Sequence, residues 1–414
     1  MSVGKSELTI FDKVNPQVVI ERTNWVEYSP VTALNSNSPI DFLIVSDQYL
    51  DLSESLLYVR FKLNDGAGYS VAVVNNILSS AFADIEVTMD EKIVESTNHL
   101  YPYKSMFTIL LNYNADAKNS TLATSGYFED QAGKMDDATN TGFVKRKENT
   151  NHEYVGPLWL DTFNQSRFII PNVKIGIKLT PSRTEFHLQG IKDATATTHT
   201  SPQLEIEECK IYIRNVSVNP TVRIAHEVGL KSENAIYPFQ RSILKNFAVS
   251  QGLSNISLDN IFNQKIPKMI VFCMVGNQAF NGTLKSNPFN FEHFDCNFIG
   301  LYKDGICLPR KEFAPDFKNG KCVREYVAMM QNLNMFSRNQ TNSISFEEYK
   351  KGGYQLFVYN LAADLSYSSR QPLTIGNIRL DLRFSTALPK AINIVMMGLF
   401  DDEIQITESR RVLL

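Results

Sequence analysis

The side chains with most chemical potential here are six histidines, five cysteines and four adjacent pairs of like carboxylates. A jelly-roll metal site uses a close His-x-His pair with a carboxylate and a further imidazole. None of His99, His152, His187, His199, His226 and His293 lies two residues from another. His293 and Asp295 flank Cys296 without a second histidine nearby. His226-Glu227 opens like the zinc motif H-E-x-x-H, but Leu230 stands where the second histidine is needed. No G-x-x-x-x-G-K-[ST] loop and no G-x-S-x-G elbow occurs. The carboxylate pairs are Asp136-Asp137, Glu207-Glu208, Glu347-Glu348 and Asp401-Asp402. Neighbours on a strand point to opposite faces, whereas glycosidase carboxylates converge in space from separate elements. These pairs therefore read as solvated, turn or edge residues. Trp25 and Trp159, the only tryptophans, read as core or interface residues rather than a sugar platform. No catalytic, cofactor-binding or metal residue is assigned, no cofactor is expected, and the chain reads as a non-enzyme.

Bulk properties narrow the class. The 414 residues suit two domains. Lys and Arg total 41 against 44 Asp and Glu, without the basic excess of a nucleic-acid binder. Lys145-Arg146-Lys147 and Arg410-Arg411 read as a solvated loop and a polar tail. Cys209, Cys273, Cys296, Cys307 and Cys322 are odd in number and lack C-x-x-C spacing. They point to a reducing compartment and argue against a disulfide framework or zinc knuckle. MSVGKSELTIFDKV has no apolar signal core, so secretion is not expected. The longest apolar runs, such as MIVFCMVG (269–276), fall short of the roughly 18 residues of a membrane helix.

The elements that would position these residues are mostly strands. ADIEVTMDEKIVES (83–96) places Ile85, Val87 and Met89 on one face. PQLEIEECKIYIRNVSV (202–218) offers Leu204, Ile206, Ile211 and Ile213 as inward residues, and TIGNIRLDLRFSTAL (374–388) offers Ile378, Leu380, Leu382 and Phe384. This is the mark of antiparallel strands with one buried face. Asp65-Gly66, Asn281-Gly282, Asp304-Gly305 and Asn319-Gly320 mark tight turns, with Asp304-Gly305 predicting a hairpin. Gly352-Gly353 divides SISFEEYKK from YQLFVYNL. Short helices are predicted over 73–82, 101–113 and 322–336. Region 114–157, polar and without period, reads as a long loop insertion with an exposed contact surface. A second polar loop covers 189–202.

The halves share an order of features. Strands over 81–94 precede the Tyr101 helix, and strands over 293–309 precede the Tyr326 helix. Further on, 167–180 answers to 354–361, and 204–218 answers to 376–388. Some eight strand candidates per half fit an eight-stranded jelly roll. The reading is all-β with short helices. It comprises an N-terminal jelly roll over 1–225, carrying the 114–157 insertion, and a C-terminal one over 226–414.

The run IERTNWVEYSPVTALNSNSPIDFLIVSDQYLDLSESLLYVRFKL (20–63) resembles the double jelly-roll major capsid proteins of Maverick/Polinton elements and adintoviruses. Its matching parts are Trp25-Val26-Glu27-Tyr28, Pro39-Ile40-Asp41-Phe42 and Tyr49-Leu50-Asp51-Leu52. VNNILSSAFADIEVTMDEKIVES with YPYKSMFTILL, then Asn219-Pro220 and Tyr237-Pro238, continue the match. FNGTLKSNPFNFEHFDCN and the ending DEIQITESRRVLL complete it over nearly the full chain. The 114–157 segment matches no motif of the family.

The resemblance implies a homotrimeric, pseudo-hexameric capsomer tiling an icosahedral shell around double-stranded DNA, hence a virion protein. Its partners would be itself, neighbouring capsomers and a single jelly-roll penton protein. No membrane span and no specific nucleic-acid site are expected. The alternatives are a lectin-like carbohydrate-binding double β-sandwich and a jelly-roll hydrolase or metalloenzyme.

Overall fold

The computed structural model describes residues 17–34, 38–192, 196, 198–366 and 369–414. The N-terminal segment read for a secretory signal, residues 1–14, lies outside them. The chain begins with β1 (Ile20–Tyr28), β2 (Ile40–Ile44), β3 (Tyr49–Asn64), β4 (Tyr69–Val73), α1 (Ile77–Ser80), β5 (Phe82–Met89) and β6 (Lys92–Ser96). Then come α2 (Tyr101–Asn112), α3 (Ala115–Asn119), α4 (Thr141–Glu148), β7 (Glu153–Pro157), β8 (Ile175–Pro181), α5 (Thr184–His187), β9 (Leu188–Lys192) and β10 (Gln203–Val218). A connecting helix, α6 (Pro220–Leu230), leads to β11 (Ala235–Val249), β12 (Asn255–Leu258), β13 (Lys265–Ile266), β14 (Met269–Gly276), α7 (Asn277–Asn281), β15 (Cys296–Lys303) and β16 (Ile306–Phe313). The rest is α8 (Val323–Asn332), α9 (Phe346–Lys351), β17 (Phe357–Asn360), β18 (Thr374–Ile375), β19 (Ile378–Phe384), β20 (Ile392–Ile406) and β21 (Val412–Leu413).

The strands build one topology twice. In the first half, two sheets run β1-β10-β3-β7 and β2-β8-β5-β6. In the second, they run β11-β20-β14-β17 and β12-β19-β15-β16, with β21 added to β20. In each half the first strand pairs with the last long one, and the order of its neighbours is the same. A short ribbon accompanies each half, β4-β9 and β13-β18. Every named ladder is antiparallel, as the period-two patterns require. Among the described residues no ladder joins a strand of one half to a strand of the other.

This topology corrects part of the sequence correspondence. The hairpin-then-helix blocks do match: β5-β6 and α2 answer to β15-β16 and α8. The later pairings are displaced by one strand. Strand β8, within 167–180, answers to β19, and β10 answers to β20, while β17 answers to β7. Apolar alternation looks alike on any half-buried strand, so pattern order alone could not index them.

Local rules explain the details. In β10 the inward set changes from even to odd numbers, Leu204 and Ile206 against Cys209, Ile211 and Ile213. A register shift between Ile206 and Glu208 takes up the extra residue, so both sets face the core. The β15-β16 turn places Asp304 and Gly305 at φ 50° and 80°, the two left-handed positions of a tight hairpin. Its counterpart between β5 and β6 uses Asp90 and Glu91 at φ 50° and 64°. Helix α9 occupies the end of the SISFEEYKK run. Ser345 accepts from the Glu348 N–H, and the Glu348 carboxylate accepts from the Ser345 N–H. That capping box was visible in S-x-x-E.

Region 114–157 is not an exposed loop. It contains α3, α4 and β7, and it buries Leu122, Tyr127, Met135, Phe143 and the whole Arg146 side chain. Arg146 therefore departs from the solvated reading of its basic run. The polar stretch from 189 likewise opens in strand β9, although 193–195 and 197 lie outside the described residues. Because β7 is the fourth strand of its sheet, deleting 114–157 is expected to abolish the cooperative unfolding transition of the first half. Near-UV circular dichroism during urea titration checks this; an intact transition would show that the segment is dispensable.

Two apolar cores result. One fills the first half between its sheets and extends to Tyr237, Phe239, Ile404 and Ile406. The other fills the second half and takes in Tyr103, Met106, Phe107, Leu110 and Leu111 of α2. Each half thus completes the core of the other.

Candidate functional site

The residues with chemical potential are spent on structure. Among the described residues no group of three or more His, Cys, Asp or Glu is placed to hold a metal. All five cysteines are free, and all but Cys307 are buried. His293 stacks flat on Phe317, with ring centroids 4.5 Å apart, and its Nδ1 accepts from the Asp295 N–H. His226 Nδ1 lies 2.7 Å from the Tyr49 hydroxyl, and Glu227 pairs with Arg410.

The carboxylate pairs are equally committed. Asp136 accepts from the Asn287 N–H and the Asn290 amide, while Asp137 accepts from Thr139. Glu207 and Glu208 share Arg60 at 3.3 Å, and Glu208 also holds Lys210 at 2.9 Å. Glu347 pairs with Lys350 beside the Glu348 cap. Asp401 accepts from the Gln371 N–H, and Asp402 pairs with Arg241.

What the geometry does assemble is a polar joint between the halves. Lys104, the one cation within the apolar α2 run, donates to Glu95 at 2.7 Å and pairs with Asp161 at 2.8 Å. Glu95 also accepts from the N–H groups of Asp161 and Thr162 and from the Thr162 hydroxyl. Burial alone would push the Lys104 ammonium down, but Asp161 and Glu95 hold it above the ordinary lysine range. Burial pushes the Asp161 carboxyl up. Burial opposes ionisation of Glu95 too, yet Lys104 and the surrounding donors bring it below the ordinary range. Asp161 reaches across to β11, accepting from the N–H and hydroxyl of Ser242.

A second node centres on Asp130. Arg146 Nη1 lies 2.8 Å from its carboxylate, while Arg146 Nε donates to the Val73 carbonyl. Asn75 and Asn140 donate to the same carboxylate, and so does Asn287 from the second half. Tyr354 donates to the Asp130 carbonyl at 2.6 Å. Between the nodes lies an aromatic contact, with Tyr103 stacked on Phe280 at 5.4 Å and edge-on to Phe289. Sequence reading missed these nodes. The available signals were a lysine inside YPYKSMFTILL and an arginine beside Phe143 and Val144.

One half of the fold also stores a pH response. His187 is buried, with neither ring nitrogen hydrogen-bonded, and burial pushes its pKa down to about 4. The unfolded chain takes up this proton near pH 6.5, so the neutral imidazole contributes full stability above that value. The contribution falls by about 3 kcal/mol as pH drops from 6.5 to 4. His187→Leu is expected to remove that part of the acid sensitivity in urea titrations at pH 7 and 4.5. Equal losses in both proteins would refute it.

Comparison with known proteins places this geometry. No protein-family model matches the chain. Of solved structures, a chain of the Sputnik virophage cryo-EM structure matches with a TM-score of 0.67 at 12% identity, covering 100% of this chain and 92% of its own. The Faustovirus major capsid protein matches with 0.63 at 10%, covering 97% and 93%. The mavirus major capsid protein matches with 0.58 at 10%, covering 97% and 92%. The fold is a double jelly roll. By sequence, "Uncharacterized protein F54H12.2" of Caenorhabditis elegans is 24% identical over 408 residues, covering 93% of this chain and 95% of its own. Two of these structural neighbours are major capsid proteins by name. In the double jelly roll the two nodes lie where the rolls meet, so they fix one roll against the other. No helix among the described residues is long and apolar enough to cross a membrane.

Proposed function

We propose that this chain is a viral major capsid protein of the Maverick/Polinton and adintovirus type. Three copies form a pseudo-hexagonal capsomer, and capsomers tile an icosahedral shell around double-stranded DNA. The observation that carries the reading is the duplicated strand order on a rigid joint. Two like rolls, held at one angle, give a trimer six similar sides, and closed rings need such repeated surfaces. The fold shared with named capsid proteins and the sequence motifs from Trp25 onward support it. The full-length animal relative supports an element carried in a genome. The domains divide near residue 225, at α6. A single jelly-roll penton protein fills the vertices, and the protein resides in the virion after assembly in a reducing host compartment.

Light scattering after gel filtration tests the reading. A particle of about three times 46.9 kDa, or a larger shell, is expected. A strict monomer at micromolar concentration overturns it.

A further inference from the structure

Among the described residues four Lys or Arg side chains are buried. Lys104, Arg146 and Lys268 each meet a carboxylate, at 2.7, 2.8 and 3.6 Å. Lys118, in α3 and 2% exposed, has no such partner among those residues. Its Nζ donates instead to the backbone carbonyl of Asn342 at 2.6 Å. Asn342 lies in the α8–α9 connection of the second roll, so this contact also crosses between the rolls.

Asn342 is itself 0% exposed. Its side-chain Oδ1 accepts from the Ile344 N–H at 3.2 Å, while its Nδ2 is buried without a hydrogen-bond partner. An orphaned buried amide is costly and calls for a physical reason. The amide carbon, Cγ, is four bonds from the carbonyl oxygen that Lys118 touches, so amine and amide share one enclosure. The loop carrying them is held in place. The Tyr326 hydroxyl donates to the Ile344 carbonyl at 2.9 Å, and Ser345 caps α9. Burial pushes the Lys118 ammonium down to about 8, so a neutral, nucleophilic amine is populated near neutral pH. Two carboxyls act on it through charge, Glu129 and Glu348. Glu348 is committed to the N–H and hydroxyl of Ser345. Glu129 is half-buried, and burial pushes its carboxyl up, which suits a carrier of protons.

We infer that the Lys118 amine and the Asn342 side-chain amide condense into an isopeptide bond that joins the two rolls covalently within one chain. The lone pair of the neutral Nζ attacks Cγ, and the carbonyl electron pair moves onto Oδ1. The Ile344 N–H already points at Oδ1 and receives that charge. One Nζ proton passes to Glu129, and a proton passes from Glu129 to Nδ2. The Oδ1 pair then returns, the Cγ–Nδ2 bond breaks and ammonia leaves. One C–N bond replaces another, nothing is oxidised or reduced, and Glu129 ends as it began. The orphaned Nδ2 is thus the leaving group. The two partners are 224 residues apart in sequence, so the bond closes a very large loop and restricts the unfolded chain. It adds a covalent tie to the nodes at Lys104 and Asp130, and it does not depend on the capsomer reading.

Mass spectrometry of the full-length protein, after incubation near the Lys118 value of about 8, is the test. The intact chain is expected to be lighter than its sequence by one ammonia. Trypsin is expected to leave 105–134 uncut at Lys118 and joined to 339–350 as one branched product. Lys118→Arg keeps a charged donor for the Asn342 carbonyl but resists acylation, and is expected to carry its full mass. Glu129→Gln is expected to slow the loss of ammonia by roughly 100-fold. The wild-type readings need neither variant to fold. A wild type at full mass, with 105–118 and 339–350 released separately, overturns the bond. Ammonia loss without a branched product does so too, because it marks Asn342 closing on the Ser343 N–H. A link from Lys118 to Glu129 or Glu348, which would release water instead, equally overturns it, as does ammonia loss that persists in Lys118→Arg.

Discussion

Lys104→Met is expected to lower the unfolding free energy by about 3–5 kcal/mol, because it strands buried carboxylates without their cation. Glu95 keeps its three other donors, but Asp161 keeps only Ser242. The damage should therefore fall on Asp161 and on the attachment of the second roll. Urea denaturation measures the loss. A double-mutant cycle with Asp161→Asn locates it, since contacting residues couple by roughly 0.5–3 kcal/mol. If the two substitutions add to within about 0.5 kcal/mol, the joint is not the coupled unit described above.

Arg146→Met should cost a similar amount, about 3–5 kcal/mol, for a related reason. Its guanidinium is, among the described residues, the one cation bonded to Asp130, and it also satisfies the carbonyls of Val73 and Phe128. Asn75, Asn140 and Asn287 remain as neutral donors to the carboxylate, which is a weaker set. Loosening α4 should free the backbone beside the exposed Lys145 and Lys147, so tryptic cleavage there should accelerate well before global unfolding. Unchanged cleavage together with unchanged stability would sink the prediction.

Much of the fold was legible because one-sided burial leaves a period of two. Ile378, Leu380, Leu382 and Phe384 are all buried, as their alternation required. The helices at Tyr101 and Val323 and the Asp304-Gly305 hairpin followed from equally local signals. The misreadings share a cause. Assigning β8 and β10 their partners needed ladder order, which lies in contacts far apart in sequence. The segment 114–157 lacks a period because its apolar residues enter a junction between rolls, not the face of one element. Arg146 sits between two lysines and looks solvated; only Asp130, sixteen residues away, shows otherwise. Histidine spacing set the expectation that no catalytic constellation is present. The polar joint was not readable, since its members come from four separate segments.

The duplicated topology has a consequence for how such a protein can change. A subunit with one roll would print every substitution at all six corners of a hexagonal tile. In the trimer proposed above, a chain with two rolls prints each substitution at three alternate corners. Trp25, exposed on the first roll's β1-β10-β3-β7 sheet, and Met397, buried on the second roll's β11-β20-β14-β17 sheet, can then drift apart without conflict. Neighbouring corners can acquire different textures, and a tile of uniform outline can carry a direction.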